Sequence, residues 1–263
     1  MINKPVVGVA VLVLVLAVTG AYYLRSVKPP VPEAPAPPMI PAPADEPAIA
    51  HPVPDAADSA AAGAPLPALP DSDVPLRDAL AKVAGADAVK DYLQPENVVR
   101  RLVVTIDNLP RQKVAVAKRP TIALESAFVV DGDELHATLD RRNFDRYKPM
   151  VAVVSKLDMQ QLAKVYVHFY PLFQQTYQDL GYPTGYFNDR LVQVIDVLLA
   201  TPQPKGPIEL VRPNVMYTFA DPALEALPAG QKLLIRMGPE NAAAIKAKLA
   251  ELRAAVTAAP LKH

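Results

Sequence analysis

Beyond residue 75, apolar residues recur at helical spacing over most of the chain. Leu76, Leu80 and Val83 make one face of a short helix, which Ser72 or Asp73 can cap and Gly85 ends. After Pro95, the positions Val98, Val99, Leu102, Val103, Ile106 and Leu109 form a second apolar face. The run NFDRYKPMVAVVSKL predicts a helix over residues 143–157. Asp158, with Gln161 three residues on, makes a capping-box pattern for a long helix that ends at Leu180-Gly181, and Pro171 is expected to kink it. Residues 187–200 read as another helix, whose centre LVQVIDVLLA is apolar nearly all round and is therefore expected to be the most buried element. Asp221 opens a short helix in DPALEAL, and residues 231–237 supply another turn or two. The last helix starts at Pro239 and carries Ile245, Leu249, Leu252 and Val256 in a single stripe. One interruption changes the period. Phe128-Val129-Val130, then Asp131-Gly132, then residues 134–138 read as a β-hairpin with Asp-Gly at its turn. The expected fold class is all-α, a multi-helix domain with one small β-hairpin.

The chain ahead of this domain has a different character. Residues 6–24 read VVGVAVLVLVLAVTGAYYL, without an ionisable side chain other than the tyrosines. As a helix this run spans roughly 28 Å, which matches the hydrocarbon core of a bilayer of roughly 30 Å. Lys4 and Arg25 flank it, and Tyr22 and Tyr23 suit an interface. The run is longer than a usual signal-peptide core, and Val18-Thr19-Gly20 is a poor cleavage site, so a retained anchor is expected over residues 1–27. A short leader before the span and a large domain after it favour a signal-anchor with the domain outside the cytoplasm. Residues 28–74 hold 15 of the 30 prolines if Pro75 is counted with them, interleaved with alanine. Proline removes backbone donors and fixes φ, so a disordered linker is expected there. In polyproline II form it would reach roughly 145 Å. Spacer and plain linker both fit this composition. The domain proper is expected over residues 75–263.

Charge and cysteine content narrow the function classes. The net formal charge is zero, but residues 28–74 carry −6 and residues 75–263 carry +4. A mildly basic domain without clustered Lys and Arg gives no nucleic-acid signal. Cysteine is absent, which removes disulfides, thiolate nucleophiles and a lipoprotein anchor.

The strings RRLVVTIDNL, NFDRYKP, VYVHFYPLFQQTYQDLGYP, VIDVLLATP, FADPALEAL and KLLIRMGPEN carry a family likeness. From about Leu76 to the C-terminus the chain resembles the bacterial envelope family catalogued as domain of unknown function 3014, anchor-plus-linker layout included. The resemblance implies an envelope setting and brings no catalytic residues with it.

Candidate chemistry is sparse. The four histidines, His51, His136, His168 and His263, have no metal-ligand spacing, so no metal or other cofactor is expected. Ser126 and Ser155 lack the context of activated nucleophiles, and no glycine loop suits a phosphate. Tyr166, Tyr170, Phe173 and Tyr177 follow helical spacing; they suit an aromatic core stripe better than a groove for a sugar or peptide. Asp196, inside the apolar helix, needs a partner, because an unpartnered buried carboxylate is costly. Asn143, Asp145, Arg146 and Tyr147 gather at one helix start, and Asp221-Pro222 at another, where capping is their ordinary role.

Two function classes remain. The favoured one is a non-enzymatic module anchored in the inner membrane. Its domain would bind an envelope protein or cell-wall component, with Asn143, Arg146, Tyr147, Tyr170 and Tyr177 as the candidate surface. The other is a carboxylate-dependent periplasmic hydrolase using Asp196, Asp221 and Glu225, which would require two carboxyl groups roughly 5–9.5 Å apart. An energy transducer shares the layout, but the span has no ionisable group to sense a proton gradient.

Overall fold

The computed structural model describes residues 48–54, 65–112, 119–122, 127–133, 136–213 and 216–258. The helix expected at residues 6–24 and most of the Pro/Ala-rich stretch lie outside them. No helix among the described residues is long and apolar enough to cross a membrane. In chain order the elements begin with α1 (Asp73–Ala84), α2 (Ala86–Tyr92), α3 (Val98–Asn108), β1 (Val130–Asp131), β2 (Thr138–Leu139), α4 (Arg142–Asp145) and α5 (Lys148–Ser155). They continue with α6 (Met159–Asp179), α7 (Phe187–Leu199), β3 (Leu210–Val211), β4 (Thr218–Phe219), α8 (Pro222–Glu225), α9 (Ala229–Arg236) and α10 (Pro239–Thr257).

The apolar stripes decide which helices lie at the centre. α10 lies against α5, α6 and α7, while α3 packs on α6 and α7 and α1 on α2 and α6. One continuous core results, running from Leu76 in α1 to Val256 in α10. Phe173 of α6 and Phe187 of α7 stack inside it, with ring centroids 5.8 Å apart and planes within 8°. Burying a side chain of this size contributes about 1.5–3 kcal/mol. α6 opens as its sequence predicts: Asp158 Oδ1 accepts from the backbone N–H of Gln160 at 2.9 Å and of Gln161 at 3.1 Å. It runs on through the exposed Pro171 to Asp179, and Gly181 takes a φ of 106° just beyond it.

Other expectations are corrected. The single helix expected over residues 143–157 is two, α4 and α5, because Pro149 sits in the first turn of α5, where its missing N–H removes no helical bond. The first hairpin exists, but Asp131 belongs to its strand and pairs with Thr138, while Val130 pairs with Leu139. Asp131-Gly132 is therefore no two-residue turn, since Asp131 is itself a paired strand position. A second hairpin is also present, with Leu210 opposite Phe219 and Val211 opposite Thr218. The two are stitched together by the Thr138–Glu209 bridge and by Leu139 N–H donating to the Ile208 carbonyl at 2.9 Å. Ala137, Leu139, Leu210, Phe219 and Ile235 close a small satellite core under them.

Neither Ser72 nor Asp73 caps α1 through its side chain. Ser72 Oγ donates to the Leu69 carbonyl at 2.7 Å, within a short 3₁₀ turn (Leu69–Asp71). The Asp73 carboxylate reaches across the chain and accepts from the N–H groups of Asn97 at 2.7 Å and Val98 at 2.8 Å. It thus caps α3, whose preceding residue Asn97 has a left-handed φ of 56°. Asp73→Ala should lower stability by about 1 kcal/mol, the usual effect of losing a cap. Urea unfolding would check the size, and faster exchange of the Val98 amide would locate the loss at α3.

Candidate functional site

The C-terminal end of α3 meets the loop from α6 to α7 around one buried carboxylate. Asp107 lies on the inward face of α3, one turn after Val103, with its side chain 7% exposed. Arg190, in the first turns of α7, donates from Nε to Asp107 Oδ1 at 3.1 Å and from Nη2 to the Asp107 carbonyl at 2.6 Å. Its third nitrogen donates to Gln193 Oε1 at 2.7 Å. Arg111 Nη2 donates to Asp107 Oδ2 at 2.6 Å and to the Tyr182 hydroxyl oxygen at 2.8 Å. The Tyr182 hydroxyl in turn donates to Asp107 Oδ2 at 3.3 Å. The Asp107 charge raises the pKa of Arg111. Arg190 also supplies a cation to the last carbonyls of α3, where the helix end is partially negative.

Above this cluster opens a cleft of roughly 490 Å³, bordered by Tyr177, Tyr182, Tyr186, Asp189, Arg190 and Gln193. The Tyr177 and Tyr182 rings stack at 4.5 Å, with planes 17° apart. Burial raises the Tyr177 pKa, so its hydroxyl stays protonated. Flat rings with polar tips suit the binding of another flat or extended group. The oxygens of Asp107 are meanwhile taken up by two guanidinium groups and a phenol. The arrangement is therefore a positioning device for the loop and the rings.

A second, larger cleft of roughly 760 Å³ lies beside the hairpins, with Asp140, Phe144, Pro202, Pro204 and Lys246 on its walls. Two of its charged groups are engaged. Lys246 Nζ donates to the Thr201 carbonyl at 2.6 Å, and burial lowers its pKa. Asp140 is held by Arg142 at 2.6 Å, and that hydrogen bond lowers its pKa.

The five residues of the candidate surface fall into two groups. Asn143 is 1% exposed. Its Oδ1 accepts from Val129 N–H at 3.0 Å and Arg146 Nη1 at 3.3 Å, tying the residue ahead of β1 to α4. Tyr147 is buried behind it, and burial pushes its pKa up to about 12. Tyr170 and Tyr177 belong to the other group, at the α6–α7 loop. The Tyr170 hydroxyl donates to Gln174 Oε1 at 2.9 Å, which also accepts from Phe187 N–H at 2.8 Å. Gln174 Nε2 donates to the Gly185 carbonyl at 2.7 Å, so this network braces the loop. Tyr177 is buried except for the edge that borders the cleft.

The three carboxylates of the hydrolase reading each have a separate partner. Asp196 is exposed, not buried, and is held by Arg253 through bonds of 2.6 and 3.0 Å. That hydrogen bond is the largest cause of its lowered pKa. Asp221 Oδ1 caps α8 by accepting from Ala223 N–H at 2.8 Å. Glu225 accepts from Phe219 N–H at 3.0 Å and from Lys232 Nζ at 2.7 Å. Among the described residues, no group of three histidine, aspartate or glutamate side chains has the geometry to hold a metal ion. Asp107, Asp189 and Arg190 are not among the candidates that the sequence suggested. The signal was available: Asp107 falls on the apolar stripe of α3 and must therefore find a cation.

Fold and site together define a mostly helical domain with two small hairpins at one corner and a tyrosine-walled cleft at an inter-helix loop. No curated protein and no solved structure matches the chain. It belongs to the family described as protein of unknown function DUF3014, which matches residues 98–253, from α3 into α10. The match includes the whole of the cleft.

Proposed function

We propose that the chain is a membrane-anchored module of the bacterial envelope whose helical domain works by binding a protein or cell-wall component outside the cytoplasm. The apolar run at residues 6–24 and the Pro/Ala-rich stretch behind it support the anchor and the setting. One observation carries the binding reading. The cleft offers stacked tyrosine rings, while the acids nearest to a catalytic role are engaged in caps and ion pairs. Tyrosine and arginine are also the residues that most often dominate interface energetics.

A turnover assay with the purified full chain separates this reading from the hydrolase. Cell-wall fragments should be retained or ignored but not cleaved. Asp196→Asn should leave the melting temperature almost unchanged, since exposed ion pairs contribute about 0–1 kcal/mol. Cleavage that disappears in Asp196→Asn or Glu225→Gln, in a protein that still folds, would establish the hydrolase instead.

A further inference from the structure

Residues 48–54, Ala-Ile-Ala-His-Pro-Val-Pro, lie far from α7 in sequence yet are bound to its start. The two oxygens of Asp189 accept from consecutive backbone N–H groups, Ala50 at 3.1 Å and His51 at 2.6 Å. The neighbouring side chain, Asn188 Nδ2, donates to the His51 carbonyl at 2.9 Å. All three bonds go to main-chain atoms of the segment. Ala50 presents its side chain to solvent, while His51, Val53 and Pro54 are half-buried and Pro52 has no N–H to satisfy.

The reading groups are fixed in advance. Asn188 is 1% exposed. Its Oδ1 accepts from the Tyr166 hydroxyl of α6 at 3.0 Å, and its Nδ2 also donates to the Val256 carbonyl of α10 at 3.1 Å. Three helices thus hold one amide in the orientation that the segment requires, and such preorganisation lowers the entropy lost on binding. The same Nδ2 thus bridges the His51 carbonyl and the Val256 carbonyl at the end of α10, so the segment lies beside that end of α10.

We propose that Asn188 and Asp189 form a peptide-binding site that reads the main chain of a short, non-helical, proline-flanked segment, with residues 48–54 as its resident ligand. This site goes beyond the binding reading above, because it holds whether or not the tyrosine cleft has an external partner. The two are nevertheless neighbours, since Asp189 also borders the cleft.

The full chain carrying Ala50→Pro and His51→Pro tests the site, because it removes both N–H donors and leaves the domain untouched. The probe is a fluorescent heptapeptide with the sequence of residues 48–54. A resident segment in the same chain competes at an effective concentration in the millimolar range, so the double-proline chain should bind the peptide at least about ten-fold more tightly than the wild type. A peptide carrying both prolines should bind neither chain. In the wild type, hydrogen exchange at amides 50 and 51 should be slowed, and Asp189→Ala should release both. Should the segment be exchanged with a second copy, the wild type alone would dimerise and the double-proline chain would stay monomeric, which upholds the same site. Fast exchange at both amides, or equal peptide binding by the two chains, overturns it.

Discussion

Asp107→Ala should destabilise the domain by about 3 kcal/mol, near the lower end of what breaking a buried ion pair costs. The substitution leaves the Arg190 guanidinium, only 18% exposed, without the carboxylate that faces it. It stays near the lower end because Arg190 keeps the residue-107 carbonyl and Gln193 as acceptors. Arg111→Ala is the control. That guanidinium is 51% exposed, so its loss should lower stability by less than about 1 kcal/mol. Urea unfolding, read at an unchanged m-value, would measure both. Equal effects for the two variants would mean that Asp107 is not the centre of the cluster. Asp107→Ala should also loosen Tyr182 and with it the stacked wall of the cleft.

The second large effect belongs to Gly238, between α9 and α10. Its φ of 85° and ψ of 160° form a conformation essentially confined to glycine. A Cβ there would also lie 2.5 Å from Cγ of the Phe144 ring. Gly238→Ala should therefore cost roughly 3 kcal/mol or more, adding a steric conflict to backbone strain of about 1–3 kcal/mol. Removing the ring removes one of the two causes. In a Phe144→Ala background the same substitution should cost less, because the clashing Cγ and Cδ atoms are gone, while the backbone strain remains. A Gly238→Ala chain with unchanged midpoint would show that the two elements do not meet as described.

The helices were legible because burial follows the 3.6-residue stripe, as Ile245, Leu249, Leu252 and Val256 show on α10. Caps made within the chain's own neighbourhood, Asp158 and Asp221, were equally legible. What escaped depends on distance in sequence. Asp73 caps a helix that starts 25 residues later, and no local pattern announces such a bond. The second hairpin escaped because two-residue strands carry no alternation to read. On α7 the pattern was present but misread. Asp189, Gln193 and Asp196 recur at spacings of four and three, which marks a wetter stripe on a helix taken as apolar all round. The candidate surface mixed two places for the same reason. Asn143 and Tyr147 looked polar enough for the surface, yet Asn143 is buried against Val129 and Tyr147 belongs to the main helical core.

The central claim, that the domain works by binding at the tyrosine cleft, is tested most directly by site-specific photocrosslinking in intact cells. A photoreactive residue at Thr184, on the exposed rim of the cleft, is compared with one at Gln160, at the opposite end of α6. A helix of that length separates the two by roughly 25–30 Å. The account predicts a discrete adduct at Thr184, lost when Tyr186→Ala is added, and none at Gln160. Adducts of equal yield at both positions, or an adduct at Thr184 that Tyr186→Ala leaves intact, would contradict it.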